Sequence, residues 1–488
     1  MELLRYAEEE PQRVLAITDS GETLHYSEIN TAAAALPKEA AHQLVFLLCR
    51  NSPGTLLGYL GCLKAGVVPL LLDAHIAPDL LQHLIQTYTP AFYYIPQDLP
   101  EETKKILPMN KPVTTIADSI LLRSDKKGPE LFQDLALLLT TSGSTGSPKL
   151  VRLTYRNICE NARSIAEYLH ITDKERPVTM LPMSYSYGMS IINSHVLMGA
   201  TVILTGHDIL TAPFWERVKQ ENVSSLVGIP YTYQMFSRLR LTEMELPALK
   251  TLTQAGGKLP YELHQKFGEW SLNTGRRFFV MYGQTEAAPR MAYLPPDKTM
   301  EKCGSMGIAI PGGELKLIDE TGAEITAPDT VGELVYRGQN VAMGYAECAA
   351  DLAKGDEWHG TLHTGDMAKR DSDGYFFIVG RKKRFIKIFG NRVNLDDTER
   401  LLSAAFADAE FACIGQDDLL CVYTTLKTKE QHRAVSEYLA QTTRLPAKVF
   451  HVFLSMQFLK TRQEKRCIRS WIYVKKNFLW IILFGCLD

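Results

Sequence analysis

The chain has 488 residues, 45% of them hydrophobic and 22% charged, with a formal net charge of −2. At roughly 100–200 residues per domain this length bounds two to four structural units. The near-neutral balance gives nucleic acid or an anionic membrane nothing to attract, and no run of about 20 apolar residues would span a bilayer. The N-terminus, MELLRYAEEEPQR, lacks the basic start and apolar core of a signal peptide. The nine cysteines form no CxxC pair, which fits buried thiols in a reducing, cytoplasmic setting. His359 and His363 stand four apart with no acidic residue between them, so the HExxH metal pattern is not met.

In chain order, short apolar runs alternate with helical patterns. VFLLCR (45–50) precedes a predicted helix over 55–66 that ends at Gly66, VVPLLLD (67–73) precedes a helix over 78–88, and AFYYI (91–95) follows. LALLL (135–139), ATVILT (200–205), SSLVGI (224–229), TLTQAGG (251–257) and RFFVMYG (277–283) continue the series. Strands that are nearly all apolar and separated by helices imply sheets covered on both faces. From about residue 305 the texture changes. GELKLIDETGAEI (313–325) and GELVYRG (332–338) read as hairpin strands of a smaller barrel-like part reaching to 381. The polar joint RKKR (381–384) is the expected boundary between a domain over 1–381 and a small α+β domain over 382–454. Residues 455–488 look foreign: seven Lys/Arg against two Asp/Glu, two of the five Trp, and an apolar end, FLWIILFGCLD.

The sharpest motif is TTSGSTGSPKL (140–150), behind LALLL. Closely spaced Gly, Ser and Thr let backbone N–H groups and hydroxyls converge on a phosphate, and Lys149 adds a positive charge. The GxxxxGK[ST] spacing of a simple P-loop is absent. Downstream stand YGQTE (282–286), GELVYRG, HTGD (363–366), YFFIVGRKKRFIK (375–387) and GNRV (390–393). In this order and spacing, over about residues 20–450, the set resembles the adenylate-forming superfamily of acyl-CoA synthetases, peptide-synthetase adenylation domains and luciferases.

The resemblance implies an α/β fold. A large N-terminal domain of two αβαβα-type subdomains with a small β-barrel-like part precedes a small mobile α+β domain. It also implies a reaction: a small-molecule carboxylic acid and ATP give acyl-AMP and pyrophosphate, and a thiol of CoA or of a phosphopantetheine on an acyl carrier protein takes the acyl group. By residue, Thr141, Ser142, Gly143, Ser144, Thr145, Gly146 and Lys149 match the loop that holds the β- and γ-phosphates. Tyr282 and Gly283 match the adenine side, with Gly256, Gly257 and Lys258. Thr285 matches the α-phosphate contact and Glu286 the Mg²⁺ carboxylate, as a carboxylate beside a triphosphate requires a metal between them. Asp366 matches the acceptor of both ribose hydroxyls, and Arg381 also reaches the ribose. Lys383 matches the hinge, and Lys387 and Gly390 the face that enters the site for thioester formation.

PMSYSYGMSIINSHVLMGATVIL (182–204) matches the acyl-pocket segment, with Tyr185, Ser186 and Tyr187 at its front. Amino-acid-activating relatives carry an Asp there to bind the ammonium. None lies between 174 and 207, and a buried unpaired ammonium is costly, so a non-amino acid is expected. Many relatives have His where Tyr185 stands.

The family's closing PKxxxGK motif, whose last Lys bridges carboxylate and α-phosphate, should follow LPAKVFHVFL (445–454), yet SMQFLKTRQEKRCIRSWIYV stands there. Read one base out of frame, suitable codons for Ser455 to Val474 spell a stretch containing PKNETGK, the Lys codon straddling those of Glu464 and Lys465. The tail is therefore expected to be a frameshift product and the chain as written to adenylate poorly, with Lys460 or Lys465 as unplaced substitutes. Loading of a carrier protein with an acyl or aminoacyl group, and a non-catalytic nucleotide-binding remnant, are the competing readings.

Overall fold

Every residue of the strand Leu44–Cys49 is buried, as are the first five of Val68–Asp73 and of Leu135–Thr140. Strands without a solvent face belong in the middle of a sheet covered on both sides. The computed structural model, which describes residues 2–107, 111–141, 149–388, 391–416, 419–443 and 445–454, puts them there. They form the centre of an eight-stranded sheet ordered Tyr345–Ala346, Leu150–Thr154, Leu135–Thr140, Val68–Asp73, Leu44–Cys49, Phe92–Pro96, Ser119–Arg123, Lys111–Ile116. The inner pairings are parallel and the outer ones antiparallel.

The crossover helices carry ordinary start and stop signals. Pro53–Ala65 begins on a proline and ends at Gly66 in the left-handed conformation (φ 69°), whose N–H bonds the Cys62 and Leu63 carbonyls. Pro78–Tyr88 also opens on a proline, and Tyr155–Leu169 opens on a capping box between Thr154 and Asn157.

A second sheet has the order Ser225–Gly228, Thr251–Gln254, Arg277–Gly283, Arg290–Leu294, Ile308–Ala309. The first three strands run parallel in register, Val227 beside Thr253 beside Phe279, and the last two turn back antiparallel. Helix Ser186–Leu197 is buried along its whole length. A three-stranded sheet joins Val202–Ile203, Val14–Ile17 and Thr23–His25, so only two residues of the predicted 200–205 strand pair. The strands Gly313–Ile318, Gly332–Gly338, Thr361–Arg370 and Phe376–Arg381 make a four-stranded sheet. The α+β part follows: the hairpin Phe385–Ile388 with Asn391–Asn394, the sheet of Phe411–Gln416, Leu419–Thr424 and Phe450–Leu454, and helices Leu395–Ala405 and Lys429–Thr443. The α/β class and the smaller α+β C-terminal part expected from the sequence are thus present. Two compact units result: residues 1–316 with 335–364 and 371–377, and residues 317–334 with 365–370 and the described residues from 378 on. No helix among the described residues is long and apolar enough to cross a membrane.

Two packing features make the first unit testable. Arg152 is fully buried on strand Leu150–Thr154. Its guanidinium donates to the Met343 and Gly355 carbonyls (3.2 Å each) and the Lys354 carbonyl, and pairs with Glu357 at 2.5 Å. Arg152→Met leaves those carbonyls without their donor, and about 2–3 kcal/mol of destabilisation is expected, read as a lower urea midpoint at unchanged slope. His195 and His264 are buried, and burial pushes each ring down to about 4. Both are neutral when folded, whereas the unfolded chain takes up their protons below its ordinary value of 6.5. Stability from these groups is therefore complete above about pH 6.5 and falls as pH drops toward 4. Urea midpoints at descending pH are expected to show this slope, and His264→Gln to flatten part of it.

Candidate functional site

The three parallel strands of the second sheet end together, and their carboxyl ends carry the segments the sequence singled out. In open parallel sheets this edge is where ligands bind, because the strand-to-helix turns leave a crevice there. Thr251–Gln254 runs into Gly256, Gly257 and Lys258, all exposed. Gly256 has φ +81°, a conformation that suits glycine, and a Cβ on it would lie 2.7 Å from the Tyr185 hydroxyl. Tyr185 thus closes over this turn, and burial raises its phenol above the ordinary range. The Gln254 side chain braces the turn from below by donating to the Ala255 and Gly257 carbonyls (3.2 and 2.9 Å).

The neighbouring strand ends in Tyr282 and Gly283. A side chain on Gly283 would overlap the Pro289 carbonyl oxygen, so glycine lets the chain fold back on itself here. The loop between them holds Thr285 and Glu286 in a short 3-10 turn. Gln284 Nε2 donates to the Thr364 carbonyl (3.0 Å) and to the Tyr282 hydroxyl (3.3 Å). Thr285 Oγ1 shares a hydrogen bond with Ser186 Oγ at 3.2 Å, which ties this loop to the start of helix Ser186–Leu197. Tyr187, the next residue, is buried and bonds Thr253 Oγ1 through its hydroxyl at 2.8 Å. The structure therefore brings Tyr185, Ser186, Tyr187, Gly256, Thr285 and Glu286 to one edge of one sheet.

Glu286 accepts a hydrogen bond on Oε1 from the Tyr345 hydroxyl at 2.6 Å, and its backbone carbonyl accepts one from Ala342 N–H at 2.9 Å. It makes no ion pair among the described residues. A carboxylate oriented by a neutral donor, with no basic side chain on it, is a suitable single protein ligand for Mg²⁺. That ion takes its remaining ligands from phosphates and water. Lys149 starts the strand side of the Ser/Gly/Thr loop, its ammonium 5.3 Å from the centre of the Tyr345 ring and paired with Glu347. Thr141 closes the other side, donating both N–H (3.1 Å) and Oγ1–H (3.3 Å) to the Lys149 carbonyl. The loop residues between them, with Ser142, Gly143, Ser144, Thr145 and Gly146, lie outside the described residues.

Within the second unit, Asp366 is buried and pairs with Arg381 Nε at 2.7 Å, while Arg381 is exposed. One oxygen of this carboxylate is thereby oriented by a cation. Lys382 pairs with the buried Glu333 at 2.6 Å. Lys383 falls in the 3-10 turn Lys382–Arg384 and Lys387 in strand Phe385–Ile388. Gly390 and residues 455–488, with Lys460 and Lys465, lie outside the described residues.

Sequence reading missed Tyr345, Glu347, Arg152 and Arg290. Their partners sit far off along the chain, 59 residues between Glu286 and Tyr345 and 205 between Arg152 and Glu357, so no local spacing marks them.

Known proteins carry the same organisation. The profile of the family described as AMP-binding enzyme matches residues 3–346. The feruloyl-CoA synthase of Amycolatopsis sp is 30% identical over 422 residues, covering 83% of this chain and 82% of that one. The 2-succinylbenzoate–CoA ligase of Bacillus subtilis is 25% identical over 433 residues, with 85% of each chain covered. Among solved structures, O-succinylbenzoate coenzyme A synthetase from Bacillus subtilis in complex with AMP superposes with a TM-score of 0.75 at 21% identity, covering 95% of this chain and 96% of that one. With its family profile spanning most of the chain and a relative of nearly equal extent, this protein belongs to the AMP-binding enzyme family.

Proposed function

We propose that the protein is an ATP-dependent acid–thiol ligase, which joins a non-amino carboxylic acid to CoA through an acyl-adenylate. The observation that carries this reading is the meeting of Thr285, Glu286 and Ser186 at the carboxyl edge of parallel strands, with Lys149 and Tyr345 beside the carboxylate. The curated relatives, named for CoA-ligase activity on aromatic and fatty acids, support the same class.

In the first half-reaction an oxygen of the substrate carboxylate attacks the α-phosphorus of ATP. The bond from that phosphorus to the bridging oxygen breaks, and pyrophosphate leaves. In the second, the thiol sulfur attacks the acyl carbonyl, loses its proton, and AMP leaves. Neither step needs a protein nucleophile, so the protein's task is placement and charge neutralisation. Thr285 and Ser186 present hydroxyls to the α-phosphate and the reacting carboxylate. Lys149 faces the pyrophosphate half, for which it must exchange its Glu347 partner. Asp366, held by Arg381, accepts from the ribose hydroxyls, which suits an acceptor-only side chain. Glu286 would hold Mg²⁺, which when bound neutralises charge on the phosphates. A domain boundary at 381/382, with Lys383 as its hinge and Lys387 and Gly390 on the face used for thioester formation, completes the reading.

The sequence after Leu454 lacks the expected Lys, so we propose that the chain as written binds ATP but adenylates slowly. Pyrophosphate release with a panel of aromatic and aliphatic acids is expected to be weak. It should rise at least ~100-fold when the ending PKNETGK is restored after Leu454, the size of a single electrostatic contribution to a transition state. Equal turnover by both chains would remove the impairment idea. In the restored chain, Glu286→Gln is expected to lower kcat about 100-fold or more and to raise the Mg²⁺ needed for half-maximal rate. Unchanged Mg²⁺ dependence would take Glu286 out of the metal site.

A further inference from the structure

Behind Tyr187 lies a cavity of about 30 Å³, lined among others by Tyr168, Tyr187, Ser190, His195 and Arg290. Arg290 is 3% exposed. Its position is fixed by the backbone: its N–H donates to Asn161 Oδ1 (3.3 Å), and its carbonyl accepts from Asn161 Nδ2 (3.0 Å) and Asn340 Nδ2 (2.8 Å). The guanidinium lies 4.3 Å from the centre of the Tyr187 ring. The groups it meets are neutral: Nη2 donates to Ser190 Oγ at a long 3.4 Å, the side chain also bonds the Tyr168 hydroxyl, and Nε has no partner among the described residues. No carboxylate pairs with it among the described residues.

Taking a guanidinium out of water without an anion is costly, and the cost is recovered when an anion arrives. Arg152 in the same unit shows the charge-matched alternative, a buried guanidinium met by Glu357 and three carbonyls. The other titratable groups around the cavity do not supply the missing charge. Glu175 holds Ser224 at 2.5 Å, and Arg277 donates to the Leu169 carbonyl and Thr251 Oγ1. His195 is kept neutral by burial.

The cavity's position defines which part of a substrate would reach it. Ser186, bonded to the Thr285 hydroxyl, and Tyr187, under the guanidinium and lining the cavity, are consecutive residues at the start of one buried helix. A free volume of about 30 Å³ takes two or so water-sized groups, enough for a carboxylate and too little for a long acyl tail.

We infer that Arg290 is a specificity residue and that the acid activated here is a short dicarboxylic acid. One carboxylate is adenylated beside Thr285 and Ser186 while the other pairs with Arg290. This rests on the ligase reading above.

Binding rather than turnover tests it, since binding does not require the adenylation Lys. Calorimetric titrations of the full chain, saturated with Mg²⁺ and α,β-methylene-ATP, would compare succinate with butanoate and glutarate with pentanoate. At least one diacid is expected to bind ten times or more tighter than its matched monoacid. Arg290→Met should erase that difference while leaving the monoacid and nucleotide affinities within threefold, and Arg290→Lys should retain part of it. Absence of any diacid preference in the unsubstituted chain overturns the inference. So does an equal loss for both acids in Arg290→Met, which marks a structural role. The ligase reading fails separately, by absent nucleotide binding or by no pyrophosphate release from the chain with PKNETGK restored, with any acid of a panel that includes the diacids.

Discussion

The buried guanidinium of Arg152 is the constraint on which the site's geometry depends. It joins the strand Leu150–Thr154 to the segment Met343–Glu357, two pieces of chain nearly two hundred residues apart. That junction places Tyr345 in antiparallel register with Val151, and Tyr345 then does two things at once. Its hydroxyl orients the Glu286 carboxylate and its ring faces the Lys149 ammonium. A carboxylate and an ammonium this near in the fold attract each other. Here each has a different partner, Tyr345 for the acid and Glu347 for the base. Tyr345 thus touches both the acid and the base, through its hydroxyl and its ring face.

How much of this was legible in the sequence follows from the range of the interactions. The apolar stretches of 45–50, 67–73 and 135–139 became buried central strands, and the polar residues that end the first two, Arg50 and Asp73, are the ones that reach solvent. The helix read over 55–66 spans 53–65 and ends at Gly66 as its glycine indicated, whereas the helix over 78–88 ends at a left-handed Thr89 that carries no such local signal. The two-residue strand Val202–Ile203 fell short of its six-residue apolar run because only there does a neighbour, Val14–Ile17, offer a parallel partner. The site segments were legible as types of residue: small donors, a carboxylate after YGQT, an Asp in HTGD. Their partners were not. Tyr345, Arg152 and Arg290 look like ordinary side chains until strand pairing brings them to Glu286, Glu357 and Tyr187.

Helix Ser186–Leu197 shows why hydrophobic periodicity is silent at the centre of such a molecule. All its residues are buried, including Ser190, Asn193, Ser194 and His195, so no polar face exists for a pattern to reveal. The polar groups are satisfied locally instead. Ser190 and Ser194 donate back to the carbonyls of Tyr187 and Ile191, and His195 Nδ1 also meets the Ile191 carbonyl. Asn193 accepts from the buried Tyr59 hydroxyl at 3.0 Å. These bonds let polar residues line an interior helix at little cost and leave its first turn, with Ser186, free to face Thr285.

Two buried arginines in one unit make the final contrast. Arg152 is spent on structure: three carbonyls and a carboxylate meet its two terminal nitrogens, and the half-exposed Glu357 keeps the pair in touch with water. Arg290 is anchored through its backbone and nearly as buried, yet among the described residues it meets only neutral groups: the Tyr187 face, the Tyr168 hydroxyl and a long hydrogen bond to Ser190. Cation–π contact of this kind is worth about 0.5–2 kcal/mol, less than the several that desolvating the ion costs. What differs is charge: Arg152 meets a carboxylate, and Arg290 meets none among the described residues. The difference between the two sites is what separates a residue that builds the protein from one whose partner comes from outside it.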